Sequence, residues 1–334
     1  MPQITEVVFK DDVLISSNPI SLVLTRITQL GQALIFYTPA KDILTRASGF
    51  MDAYDFTLKP YSGCSFGCTY CYAAFFSRKA DERDSWGKWV KIKSNAVELL
   101  SDKLKNKPGF IDDKVIYMSS VTDPYQPIER KIELTRGLLK IMAGLSSHEA
   151  DGQLFLIQDG PQHKTDPKPK LVVQTRSPDV VRDCDLFQQI EENGGRVRVN
   201  MTVTTDDEDV RRTFEPYCPS NSARLRAITQ VQTKGIDTCI TMTPLLLVKE
   251  ADNFAEQLLD TGVKRFIIQP FHFQKGKFVA ATRDQAFDLM AEKHDTDRAQ
   301  FGKAYLEHYR TVKDVLQDRL PNLGEGKGGF APPF

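Results

Sequence analysis

The chain has 334 residues, and its 44 basic and 44 acidic side chains cancel to a formal charge of zero. That balance removes any global electrostatic case for a nucleic-acid or membrane-surface protein, and no apolar run approaches the roughly 18 to 20 residues that span a bilayer. The N-terminus, MPQITEVVFKDDVLISS, carries acids and lacks a signal peptide's apolar core, so a cytoplasmic protein with reduced cysteines and a self-sufficient core is expected.

Residues 1–50 read as a β-rich extension, with SLVLTRI and QALIFYT as strand candidates. YDFTLKP (54–60) is a strand that leads into a cysteine-rich loop. Further strands are expected at 113–120, 170–177, 195–205, 236–246 and 265–271. Helix candidates lie between them, at 94–106, 133–145, 178–193, 221–234 and 250–261. The fourth of these carries Ala223, Leu225, Ala227, Ile228 and Val231 at helical spacing and ends at Gly235, a C-cap residue. Residues 160–170, GPQHKTDPKPK, read as a polar loop insert. Beyond 275 the pattern is helical to about Leu320 and then becomes a Gly/Pro tail whose Phe330 and Phe334 are suited to packing on the body.

Strand–helix alternation of this kind implies parallel strands joined by crossover helices. Six units give an α/β fold, a partial (β/α)6 TIM-like barrel (51–275), flanked by the N-terminal β-rich extension (1–50) and a C-terminal helical segment and tail (276–334). The active site is then expected at the C-terminal ends of the strands.

Three of the six cysteines fall in YSGCSFGCTYCYAAFFSR (61–78), as Cys64, Cys68 and Cys71. A structural zinc wants four ligands, yet Cys184, Cys218 and Cys239 are isolated and the next histidine is His148. A four-iron cluster also takes four ligands for full coverage; three would hold it and leave one iron open to a small molecule. Gly63 and Gly67 permit the chain to wrap closely.

The Cys-x3-Cys-x2-Cys spacing, with Tyr70 directly before the third cysteine, resembles the signature of the radical S-adenosylmethionine (SAM) enzymes. More narrowly, CTYCY, SSVTDPYQPIE (119–129), TRSPDV (175–180) and FEP (214–216) resemble the spore photoproduct lyase-like branch, often labelled DNA repair photolyases. The likeness covers roughly residues 45–275. It implies a 4Fe-4S cluster on Cys64, Cys68 and Cys71, SAM chelated by the open iron, and reductive cleavage to a 5′-deoxyadenosyl radical that abstracts hydrogen. It also implies an electron donor such as flavodoxin or ferredoxin and a lyase-like reaction.

By the same resemblance, Ser119, Ser120, Thr122 and Asp123 meet the methionine amino group, although those residue types equally suit a turn and helix N-terminus. Arg176 faces the carboxylate, where the lyase has lysine. Thr204, on one strand face with Thr202, meets the ribose, and Met242, Thr243 and Pro244 lie near adenine. Tyr70 and Tyr72 match two tyrosines thought to relay a radical. The lyase's hydrogen-donor cysteine near the end of strand two is missing, because Met118, Ser119 and Ser120 stand there; Cys218 is the candidate replacement. Cys184 and Cys239 read as packing residues.

The substrate has three readings. Residues 78–93 carry Arg78, Lys79, Arg83, Lys88, Lys91 and Lys93 with Trp86 and Trp89 interleaved, a composition that suits nucleic acid or a solvated loop with packed tryptophans. The second reading is a small metabolite or peptide. The third is a non-catalytic iron–sulfur protein.

Overall fold

The computed structural model describes residues 7–10, 13–16, 24–145, 166–272 and 282–334. Residues 160–165 of the expected polar insert lie outside them. The strands are β1 (Val7–Lys10), β2 (Val13–Ser16), β3 (Leu24–Thr25), β4 (Gln29–Leu30), β5 (Ala33–Thr38), β6 (Leu44–Arg46), β7 (Phe56–Leu58), β8 (Tyr61–Ser62), β9 (Trp89–Lys93), β10 (Val115–Met118), β11 (Lys170–Thr175), β12 (Arg196–Thr202), β13 (Asp237–Met242), β14 (Phe266–Ile268) and β15 (Leu323–Glu325).

The main sheet has the order β15-β14-β13-β12-β11-β10-β7-β6. The six strands β7, β10, β11, β12, β13 and β14 are mutually parallel and stand side by side in chain order. This is the partial barrel that the alternation predicts. β6 closes one edge antiparallel to β7, and β15 extends the other edge parallel to β14. A second sheet, β4-β5-β9-β8, and an antiparallel meander, β1-β2-β3, complete the strands.

The two faces of the main sheet differ in chemistry. Val197, Val199 and Met201 of β12 and Leu171 and Val173 of β11 belong to the principal apolar core, where helices Cys184–Glu192 and Asn221–Thr233 pack on β12. The alternate residues are mostly polar, Val172 excepted, which joins Met51, Tyr54 and Tyr117 in a small apolar cluster. Gln174 Nε2 donates to Thr202 Oγ1 (2.8 Å) and Thr241 Oγ1 (3.0 Å), and its Oε1 accepts from the Tyr117 hydroxyl (2.7 Å) and Asn200 Nδ2 (3.3 Å). A parallel sheet buried on both faces ordinarily reads as continuous hydrophobic residues. A polar inner face marks the side on which a site is built.

Two expectations need correction. Residues 89–93 form β9, paired parallel with β5 and antiparallel with β8, rather than part of a solvated loop. The Gly/Pro tail contains β15 and a short helix, Gly326–Gly329. The tail does pack on the body: the Phe330 ring lies 5.6 Å from that of Phe50, and its carbonyl accepts from the Tyr54 hydroxyl at 3.0 Å. Arg198 sits over the Phe334 ring at 5.9 Å.

Candidate functional site

The cysteine loop leaves β8 through Gly63, whose φ of +78 suits glycine. A Cβ there would stand 2.6 Å from the Trp89 ring and from the Trp89 carbonyl, so no side chain fits. The segment that follows β10 holds the loop from one side. Thr122 Oγ1 donates to the Gly63 carbonyl (2.6 Å), and Gln126 Oε1 accepts from Ser65 N (2.9 Å). The FEP segment holds it from another, since Thr69 N donates to the Phe214 carbonyl at 2.9 Å.

Cys64 and Cys68 are buried and Cys71 is half-buried. Among the described residues no three His, Cys, Asp or Glu side chains converge to hold a single metal ion. Burial pushes the Cys64 thiol up, helped by Asp123 and the neighbouring Cys68 and Cys71. It pushes Cys71 up to about 12, with Cys68 adding to the effect. Cys68 is instead lowered, chiefly by its contact with Cys218, while the desolvated Cys64 and Cys71 ionise only against a cationic centre. Three thiols without a fourth ligand in their loop would suit a multi-iron cluster better than one four-coordinate zinc ion.

The end of β11 meets the loop through one carboxylate. Glu215 is fully buried. Its Oε1 accepts from the Tyr70 hydroxyl (2.5 Å), Arg176 Nη1 (2.9 Å) and Thr204 Oγ1 (2.9 Å), and its Oε2 accepts from Arg224 Nη2 (2.5 Å). Burial by itself would raise this carboxyl, but the Arg224 and Arg176 guanidiniums and the Tyr70 hydroxyl outweigh it and hold it at about 2. Arg176 Nη1 also donates to the Tyr70 oxygen (2.9 Å). Cys218 Sγ lies 3.6 Å from Cys68 Sγ and 4.0 Å from Arg176 Nη1.

Five of the sequence-derived candidates, Tyr70, Arg176, Thr204, Cys218 and Cys68, thus form one bonded group. Asp123 is tied to the same strand end: it accepts from Thr175 Oγ1 (2.7 Å), Arg176 N (2.9 Å) and Tyr125 N (2.9 Å). Ser119, at the end of β10, has φ +71 and a buried hydroxyl without a partner. The Ser120 carbonyl accepts from the Tyr72 hydroxyl at 2.5 Å. Thr243, half-buried beyond β13, takes no part in this bonded group. Tyr70 packs edge-on to Phe271 and Tyr72 edge-on to Phe76, so the two tyrosines have different ring partners.

The sequence profile of the Radical SAM superfamily matches residues 58–261, well over half of the chain. The chain belongs to the radical SAM superfamily. An uncharacterized protein of Methanocaldococcus jannaschii is 30% identical over 192 residues, which cover 57% of this chain and 60% of that one. An uncharacterized protein of Mycobacterium tuberculosis is 24% identical over 209 residues, 62% of this chain and 52% of that one. The chain therefore matches little more than half the length of these relatives. Spore photoproduct lyase has a similar fold: a cysteine mutant superposes with a TM-score of 0.53 at 14% identity, covering 87% of this chain and 81% of the lyase. The same enzyme complexed with a dinucleoside spore photoproduct gives 0.52.

Two residues of this radical SAM chain were not read from the sequence as site residues. Glu215 sits inside the FEP motif, but nothing local shows that its carboxylate is buried. Arg224 is fully buried and also donates to the Pro219 carbonyl (3.0 Å) and the Thr202 carbonyl (3.2 Å). A signal existed: Arg224 is three, four and seven residues before Ala227, Ile228 and Val231, on the stripe its helix buries. Of the two readings of the basic segment, the tryptophans follow the packed one. Trp86 and Trp89 are each 7% exposed and pack edge-on to one another, and Lys91 pairs with Glu82 at 2.6 Å. The exposed rings stand just upstream, Phe75 at 46% and Phe76 at 65%.

Proposed function

We propose that this chain holds a 4Fe-4S cluster on Cys64, Cys68 and Cys71 and reductively cleaves SAM to start hydrogen abstraction. The observation that carries the reading is a desolvated three-cysteine loop at the C-terminal edge of a parallel sheet, clasped by the segment that follows β10 and by the FEP segment beyond β12. When bound, cluster and SAM would supply the 5′-deoxyadenosyl radical; the protein's part is to position, desolvate and select.

On this reading the strand ends surround the cosubstrate. Ser119 offers a free buried hydroxyl beside Ser120 for the methionine amino group. Thr122 and Asp123 act by holding the loop and the end of β11, because their polar atoms are committed there. Arg176 uses Nη1 for Glu215 and Tyr70 and keeps Nε and Nη2 for the carboxylate. Thr204 lines the ribose side and Thr243 the adenine side. Tyr70, Tyr72 and Cys218 are the proposed radical-relay and hydrogen-donor set. Residues 51–275 are the catalytic barrel, and a flavodoxin- or ferredoxin-like donor in a reducing cytoplasm supplies the electron.

A nucleic-acid substrate is supported by Phe75 and Phe76, exposed for stacking, with Arg78 and Lys79 one residue further on. A small polar substrate is favoured instead by the inner face, where Asn200 Oδ1 is buried without a partner. Anaerobic reconstitution should give about four irons per chain, lost in a Cys64, Cys68, Cys71 triple-alanine variant, and 5′-deoxyadenosine should form with a strong reductant. Full iron retention by that variant would overturn the reading. Oligonucleotide binding that weakens steeply with salt separates the two substrate classes.

A further inference from the structure

Cys68 and Cys218 are 150 residues apart in sequence, yet their sulfurs touch at 3.6 Å in a buried contact. Neither backbone is free to drift. Thr69, next to Cys68, is bonded through N and Oγ1 to the Phe214 carbonyl (2.9 and 3.3 Å). Cys218 N donates to the Glu215 carbonyl (3.0 Å), and the Cys218 carbonyl accepts from Arg211 Nη1 (2.8 Å). Two thiols held face to face need only a small side-chain rotation to reach bonding distance, about 2 Å.

We propose that in the cluster-free protein Cys68 and Cys218 close a disulfide that blocks cluster assembly until it is reduced. The oxidant is a small peroxide, which suits a pair this buried. Hydrogen peroxide converts one thiol to a sulfenic acid and leaves as water. The second thiol displaces hydroxide from that sulfur, a second water leaves, and two hydrogens have been lost from the pair. One bond then withdraws a cluster ligand and the proposed hydrogen donor together. When Cys68 carries iron its sulfur is committed, so the lock forms only in the empty site. This goes beyond the proposed activity, since it requires only that Cys68 be a ligand.

The experiment uses the full chain, stripped of iron by a chelator, treated anaerobically with stoichiometric hydrogen peroxide, alkylated, digested and analysed by mass spectrometry. The expected product is a peptide pair linking Cys68 to Cys218, with the other four of the six cysteines alkylated. Iron uptake on reconstitution should fall several-fold and return after treatment with a phosphine reductant. Cys218→Ser should take up iron after peroxide as it does before. A dominant link between Cys68 and Cys64 or Cys71, or sulfinic acid in place of a link, overturns the proposal. So does equal loss of iron uptake in Cys218→Ser. The untreated, reduced arm reads cluster binding by itself, so failure of the cluster assignment shows there and not in the link.

Discussion

The two ends of the barrel place their charges in opposite ways. At the C-terminal end of the strands, Glu215, Arg176 and Arg224 are withdrawn from water and satisfy one another. At the N-terminal end, Glu191, Arg196, Asp237, Lys264 and Arg265 line an open polar groove of about 650 Å3, and Arg265 stands 4.0 Å from Asp237 with half its side chain exposed. Closure at that end falls to the aromatic tail, where Phe330 meets Phe50, Tyr54 and Tyr117. Buried ion pairs are poor devices for stability but strong devices for geometry, because each partner fixes where the other must lie. The carboxylate hub at the C-terminal end is closed to water, whereas the groove at the other end keeps most of its charges solvated, Arg198 beside Asp237 being the buried exception there.

The sharpest way to break this contrast is Glu215→Ala. It strands Arg224 and Arg176 without their carboxylate, and urea unfolding should show a loss of about 3–5 kcal/mol. The same residue predicts an acid limb. Its carboxyl is depressed from 4.5 to about 2 in the fold, so its contribution is present above the unfolded value and is lost as pH falls through the window from about 4.5 to about 2. That is roughly 3 kcal/mol, and Glu215→Gln should flatten this part of the stability curve. If wild type and Glu215→Gln lose stability in parallel there, the pairing is not what holds the carboxylate ionised.

Asp123→Ala comes next. Three hydrogen bonds to a buried carboxylate are lost at the end of β11, for about 1.5–3 kcal/mol in the same unfolding assay. SAM affinity, followed by titrating 5′-deoxyadenosine formation, should weaken because the Arg176 backbone is released. Phe330→Ala should cost about 1–2 kcal/mol by thermal melting through lost aromatic contact, with iron content unchanged. Arg265→Ala should fall within about 0.5 kcal/mol of wild type. A larger effect at Arg265 than at Asp123 would erase the distinction between the two ends.

Much of the scaffold was legible because it is written in local pattern. The barrel strands and five crossover helices follow from apolar runs, helical spacing and terminal glycines, with boundaries shifted by a few residues. Residues 178–193 show the typical discrepancy: a 3-10 turn, Pro178–Asp183, precedes the helix Cys184–Glu192, because Pro178 and the Ser177 cap start a tighter turn. β9 and β15 were missed for a different reason. Each is fixed by the strands beside it, β5 and β8 for the first and β14 for the second, and strand propensity depends strongly on such cross-strand context.

The amino-acid sequence alone determined the three-thiol loop, its glycines and the strand order that carries it, because ligand spacing and hydrophobic period are properties of neighbouring residues. Only the tertiary structure decided that Glu215 is the hub joining Tyr70, Arg176, Thr204 and Arg224, that Trp86 and Trp89 are packed rather than presented, and that Cys218 touches Cys68. Each of these depends on burial and on contact between distant segments. Burial changes what a carboxylate, an indole or a thiol can do, and it is set by the surrounding fold, not by the residue's own neighbours in the chain.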